Sequence, residues 1–118
     1  MQDVLDKIAQ VLYEKKAANI LVLDLQAISS LTHFIIIAEG SVDRHVIGLA
    51  KHLIAELAEE GQEPLYTEGL RDGEWVALDY GNFIVHLMTP EYREKYALEE
   101  LWRDAKIVDI IIQLESKR

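Results

Sequence analysis

The chain has 118 residues, half of them hydrophobic and 28% charged, which fits one soluble globular domain and is too apolar for a disordered segment. It contains no cysteine, which excludes disulfide frameworks, thiolate zinc sites and cysteine nucleophiles and agrees with a reducing compartment. Acidic side chains outnumber basic ones by 21 to 12, and residues 56–80 hold eight of them against the single Arg71; that balance speaks against direct, sequence-specific nucleic-acid binding and favours a basic protein partner.

The first ten residues, MQDVLDKIAQ, carry Asp3 and Asp6 and no signal-peptide core, and no later apolar run reaches membrane-spanning length. The chain therefore reads as cytoplasmic, with no membrane partner. Val4, Leu5, Ile8, Val11 and Leu12 recur at helical spacing and predict a helix over residues 3–18, ended by Asn19. ILVLDL at 20–25 and FIIIA at 34–38 are short aliphatic runs, predicting two strands buried on both faces. A second helix follows, with Val42, Val46, Leu49, Leu53 and Leu57 as its apolar stripe, Ser41 as N-cap and Gly61 as terminator.

Residues 65–68 predict a short strand, and WVALDYGNFIVHLM at 75–88 predicts two more, folded at Gly81 and Asn82. Thr89-Pro90-Glu91 is a helix start in which threonine caps, proline suits the first turn and glutamate complements the dipole. The run IVDIIIQL at 107–114 fits strand or helix equally. The expected class is α/β or α+β, with one mixed sheet of about five strands and helices packed on it.

Among candidate sites, the four histidines at 33, 45, 52 and 86 form no metal-binding spacing, and His86 reads as a hydrogen-bonded strand residue rather than a general base. EGSVDRH at 39–45 offers a Gly-Ser step at a helix start, where a phosphate could sit on the helix dipole, as in nucleotidyltransferases. Those enzymes need paired carboxylates on the next strand, which here reads PLYTE. The stronger signal is aromatic. Strand alternation puts Trp75, Ala77 and Asp79 on one face and Val76, Leu78 and Tyr80 on the other, so the indole shares its face with a charge and is not expected to be fully buried. An exposed tryptophan on an acidic sheet face is a candidate interface anchor.

GEWVALDYGNFIVHLM, YREKYALEELW, EGSVDRHVIGLAKHL and LYTEG together resemble the ribosomal silencing factor family, also called Iojap-like, over about residues 4–106. The pattern falls on Trp75, Asp79, Gly81, Val85, His86, Tyr96, Leu98, Glu99, Leu101 and Trp102, with Gly40, Ser41, Arg44 and His45 before them. The resemblance implies a silencing-factor domain over 1–106 with a tail at 107–118, and a nucleotidyltransferase-like fold lacking the catalytic carboxylates. It implies a translational repressor that uses no cofactor and is no enzyme. Its expected partner is the large ribosomal subunit, through the ribosomal protein of the L-fourteen family, where it blocks small-subunit joining; it is expected to form a homodimer when free. The expected docking residues are Trp75, Asp79, Tyr80, Glu68, Tyr96, Glu99 and Trp102. The alternative is a nucleotide-binding enzyme using Gly40 and Ser41. The sequence departs from the family at Glu39-Gly40, where Thr-Gly is common, at Gly81-Asn82, where Gly-Asp is common, and at His33, near which an acid is common.

Overall fold

A computed structural model describes residues 1–114. Its elements are α1 (Gln2–Glu14), β1 (Ala18–Asp24), β2 (Phe34–Glu39), α2 (Asp43–Ala58), β3 (Tyr66–Glu68), β4 (Trp75–Asp79), β5 (Phe83–Met88), α3 (Pro90–Tyr96), α4 (Leu98–Leu101) and β6 (Lys106–Ile107). Six strands form one sheet in the order β3-β4-β5-β2-β1-β6, one more strand than the five expected. Only β2 and β5 run parallel; every other neighbouring pair is antiparallel. No helix among the described residues is long and apolar enough to cross a membrane.

The period-2 alternation of the strands divides the apolar residues between two faces. One face, with Val22, Ile36, Val76, Leu78, Val85 and Leu87, is covered by the apolar stripes of α1 and α2 in the main core. The other face holds a smaller cluster, Leu23, Leu25, Ile35, Ile37 and Met88, closed by Leu98 and flanked by Tyr92 and Trp102. β2 supplies both clusters, which is why FIIIA lacks any polar residue.

Local chemistry departs from expectation at two helix ends. The first helix stops at Glu14, not Ala18, because Lys16 turns left-handed (φ 72) and Ala17 N–H bonds back to the Leu12 carbonyl; Asn19 (φ 52) then lies within β1, where the register to β2 is broken. The second helix begins at Asp43 after an extended Val42, and Ser41 does not cap it. His45 instead uses Nδ1 to accept the Ser41 N–H at 2.8 Å, leaving Nε2 to donate to the Lys15 carbonyl at 2.8 Å and tie α2 to the end of α1. The third helix starts as read, with Thr89 Oγ1 accepting the Tyr92 N–H. The run at 107–114 forms neither a helix nor a long strand: Ile107 pairs with Leu23 in β6, and Ile111 and Gln113 N–H groups then bond to Asp6 and Gln10 of α1.

Arg93 fixes α3 to the sheet. Only 9% exposed, it donates to the Asn19 carbonyl and forms ion pairs with Glu39 at 3.4 Å and Glu99 at 3.2 Å. A buried cation of this kind is tolerated because its donors are matched by acceptors, and removal of the cation strands two carboxylates. Gly69 (φ 83) is a second constraint, since a Cβ there would lie 2.0 Å from the Trp75 carbonyl oxygen. Only glycine lets the β3–β4 loop pass so close to the start of β4.

Arg93→Met is expected to cost about 3 kcal/mol in urea unfolding, the lower range for breaking a buried pair. Tyr80 is the opposite case: its hydroxyl is buried without a hydrogen-bond partner among the described residues. Tyr80→Phe should leave stability unchanged or raise it by up to about 1 kcal/mol in the same assay.

Candidate functional site

The second sheet face is only partly covered. Helices α3 and α4 lie over the β1, β2 and β5 side, whereas the outer part, built by β3, β4 and the start of β5, is open to solvent. Register decides what stands there. Tyr66 pairs with Asp79 and Glu68 with Ala77 across β3 and β4, while Asp79 pairs with Ile84, Ala77 with His86 and Trp75 with Met88 across β4 and β5. All eight side chains therefore project to the same side.

Trp75 stands at the border between covered and open halves. Its indole N–H donates to His86 Nδ1 at 3.0 Å, and the Tyr96 ring covers it at a centroid distance of 5.1 Å. Tyr96 in turn packs on Tyr92 at 5.6 Å, and the Lys95 ammonium lies over both tyrosine rings. The Tyr92 hydroxyl donates to Glu74 at 3.2 Å, and that carboxylate raises the tyrosine pKa. The tryptophan is thus half-buried and held in one orientation, which lowers the entropy cost of using it in contact.

A groove of about 430 Å³ runs beside it, lined by Tyr66, Glu68, Ala77, Asp79, Ile84 and His86. Asp79 is oriented by its own turn: Oδ1 accepts the Gly81 N–H at 2.8 Å, with Gly81 at φ 88. His86 is held neutral, burial pushing its pKa down to about 4 despite the opposing charge of Asp79. Since an indole N–H can only donate, Nδ1 is the bare nitrogen and the proton of the neutral ring sits on Nε2.

Of the expected docking residues, the structure brings Trp75, Asp79, Glu68 and Tyr96 onto this surface. Tyr80 does not join them. It is 8% exposed on the opposite sheet face, its ring stacked on Phe83 at 4.8 Å, and burial with the nearby Glu63 charge pushes its pKa up to about 12. Glu99 is engaged by Arg93, and Trp102 packs against the Leu23 and Leu25 cluster beyond the groove. Tyr66, 70% exposed, was not among the residues expected from sequence, although it lies two positions before Glu68 in the same strand and so shares its face. At the rival Gly-Ser step, the Ser41 amide is already bound by His45, and a Cβ on Gly40 would sit 2.8 Å from Val46, so this glycine serves the packing of α2.

His86 has a pH consequence. With its folded pKa near 4 and its unfolded value 6.5, it binds fewer protons folded than unfolded between those limits, so stability present above pH 6.5 falls as pH drops through that window. The parent should therefore lose more stability between pH 6.5 and pH 4 than His86→Asn, whose carbonyl oxygen accepts from the indole without titrating. Urea midpoints of both proteins at the two pH values check this, and equal losses would refute it.

Comparison with known proteins adds a second line. The family model described as "Ribosomal silencing factor during starvation" matches residues 1–118. The chain is 33% identical over 97 residues to the ribosomal silencing factor RsfS of Bacillus subtilis, covering 82% of each chain. It is 34% identical over 106 residues to that of Chromobacterium violaceum, covering 90% of this chain and 87% of the relative. The mouse "Mitochondrial assembly of ribosomal large subunit protein 1" is 27% identical over 116 residues, spanning 96% of this chain and 51% of that one. A crystal structure of a Chromobacterium violaceum protein superposes with a TM-score of 0.83 at 31% identity, covering 95% of this chain and 92% of that one.

Proposed function

The chain belongs to the ribosomal silencing factor family, and on that premise we propose that it binds the large ribosomal subunit through the ribosomal protein of the L-fourteen family and blocks joining of the small subunit. Ribosome-associated regulation of translation is what membership implies; the partner and the occlusion are our reading. The name of the mouse relative, an assembly protein of the ribosomal large subunit, supports the same half of the ribosome.

One observation carries the proposal: the outer half of the second sheet face is left open, edged by a pinned tryptophan and by carboxylates. An aromatic anchor with a charged surround is the composition of a protein interface. The net charge of −9 suits a partner that is itself embedded in RNA and presents Lys and Arg outward, since opposite charge steers encounter while the RNA repels the rest of the surface. The action is occlusion by mass rather than chemistry. When free, the same protein is read as a homodimer.

No observation favours the nucleotide-binding alternative, because the amide that would hold a phosphate at Ser41 is occupied by His45. Trp75→Ala should weaken co-sedimentation with purified large subunits about 30-fold, the equivalent of about 2 kcal/mol. Added before the small subunit, the parent protein should reduce joining, and added afterwards it should not. Unaltered sedimentation of a folded Trp75→Ala, Asp79→Arg variant would exclude this face.

A further inference from the structure

The groove beside Trp75 is more specific than an acidic surface requires. Its floor is apolar, formed by Ala77 and the half-buried Ile84, and suits the methylene stem of a long side chain. Its rim holds Glu68, which is exposed and makes no hydrogen bond or ion pair among the described residues, and Asp79, whose Oδ1 is committed to the Gly81 amide while Oδ2 has no such bond. The exposed ring of Tyr66 stands over the same space and offers a π face. His86 contributes a different group. Because Trp75 occupies Nδ1, the ring offers Nε2–H, a donor without an acceptor among the described residues.

We infer that this groove captures one arginine side chain of the ribosomal partner, with Tyr66 stacked on the guanidinium, Glu68 and Asp79 pairing its charge, and His86 Nε2–H donating to a carbonyl oxygen of the same segment. The inference rests on the docking reading above and deepens it by assigning Tyr66 as a specificity-determining residue. Arginine is favoured over lysine by three features together. A planar guanidinium stacks on an aromatic ring, presents donors in several directions to two separate carboxylates, and is less strongly hydrated than an ammonium. A neutral His86 does not repel the incoming cation. Nδ1 and Nε2 are also coupled: the indole that anchors the interface sets the tautomer that makes the neighbouring groove a donor.

The test uses the full chain labelled with nitrogen-15 and titrated with N-acetyl-arginine amide, N-acetyl-lysine amide and N-acetyl-citrulline amide, the last matching arginine in shape without its charge. Arginine should shift amides of residues 66–68, 77–79 and 84–86, lysine should bind more weakly, and citrulline should leave them unmoved. Tyr66→Ala, a change at an exposed position, should weaken the arginine response roughly threefold, and the isosteric Glu68→Gln, Asp79→Asn pair should abolish it. Shifts scattered over the acidic surface, equal responses to arginine and lysine, or indifference to Tyr66→Ala would overturn the inference. Co-sedimentation with large subunits runs in parallel. If the parent sediments and Trp75→Ala does not while the groove stays silent, docking stands and the arginine site falls; if the parent fails to sediment, docking falls whatever the groove binds.

Discussion

A single sheet whose two faces receive unequal cover is the constraint from which the rest follows. Two long amphipathic helices, α1 and α2, bury the first face over β1, β2, β4 and β5. The second face is given only the short α3 and α4, whose combined length cannot span six strands. An uncovered sheet surface has to become tolerable in water, and here it does so by exchanging aliphatic residues for Ala77, Asp79, His86 and Glu68 toward the outer edge. The candidate site is thus where the apolar requirement of the core ends.

Trp75 belongs to both regimes, and its environment explains how. Below it the Leu23 and Met88 cluster supplies apolar contact; beside it His86 satisfies the indole N–H; above it Tyr96 limits its exposure. Tyr96 is in turn held by α3, and α3 by the buried Arg93, which reaches the β1 bulge at Asn19 and the end of β2 at Glu39. The orientation of an aromatic group at the surface therefore depends on an ion-pair cluster one helical turn away. Such chains of support are what give a binding residue a single conformation before its partner arrives.

Much of this was legible in the sequence because it rests on period and on strong local signals. The helix stripe of Val46, Leu49, Leu53 and Leu57, the aliphatic runs of β1 and β2, the Thr89-Pro90 start and the Gly81 turn all report their own structure. The alternation of WVALDY puts Trp75 and Asp79 on one side and Tyr80 on the other, and burial of that opposite face under α2 keeps Tyr80 away from the other expected docking residues. Where the structure differs from the sequence pattern, contacts distant in sequence decide the local geometry, as when the Lys15 carbonyl holds His45 against the Ser41 amide. Nothing near Ser41 says that His45 will take its amide while bracing Lys15, and nothing near Asn19 says that its carbonyl will meet Arg93. Tyr66 was readable, two residues from Glu68, but a three-residue strand gives too short a pattern to show its face without the register to β4.

The parallel pairing of β2 with β5 has an implication for how the molecule comes into being. These central strands are separated by α2 and the whole β3–β4 segment, so residues 34–39 have no neighbour on one side until residues 83–88 are available. During synthesis the aliphatic run Ile35-Ile36-Ile37 leaves the exit tunnel with one flank unzipped, and the chain through Met88 must emerge before it can be shut. The seam between the two central strands therefore joins an earlier and a later part of the polypeptide and closes only after both have emerged.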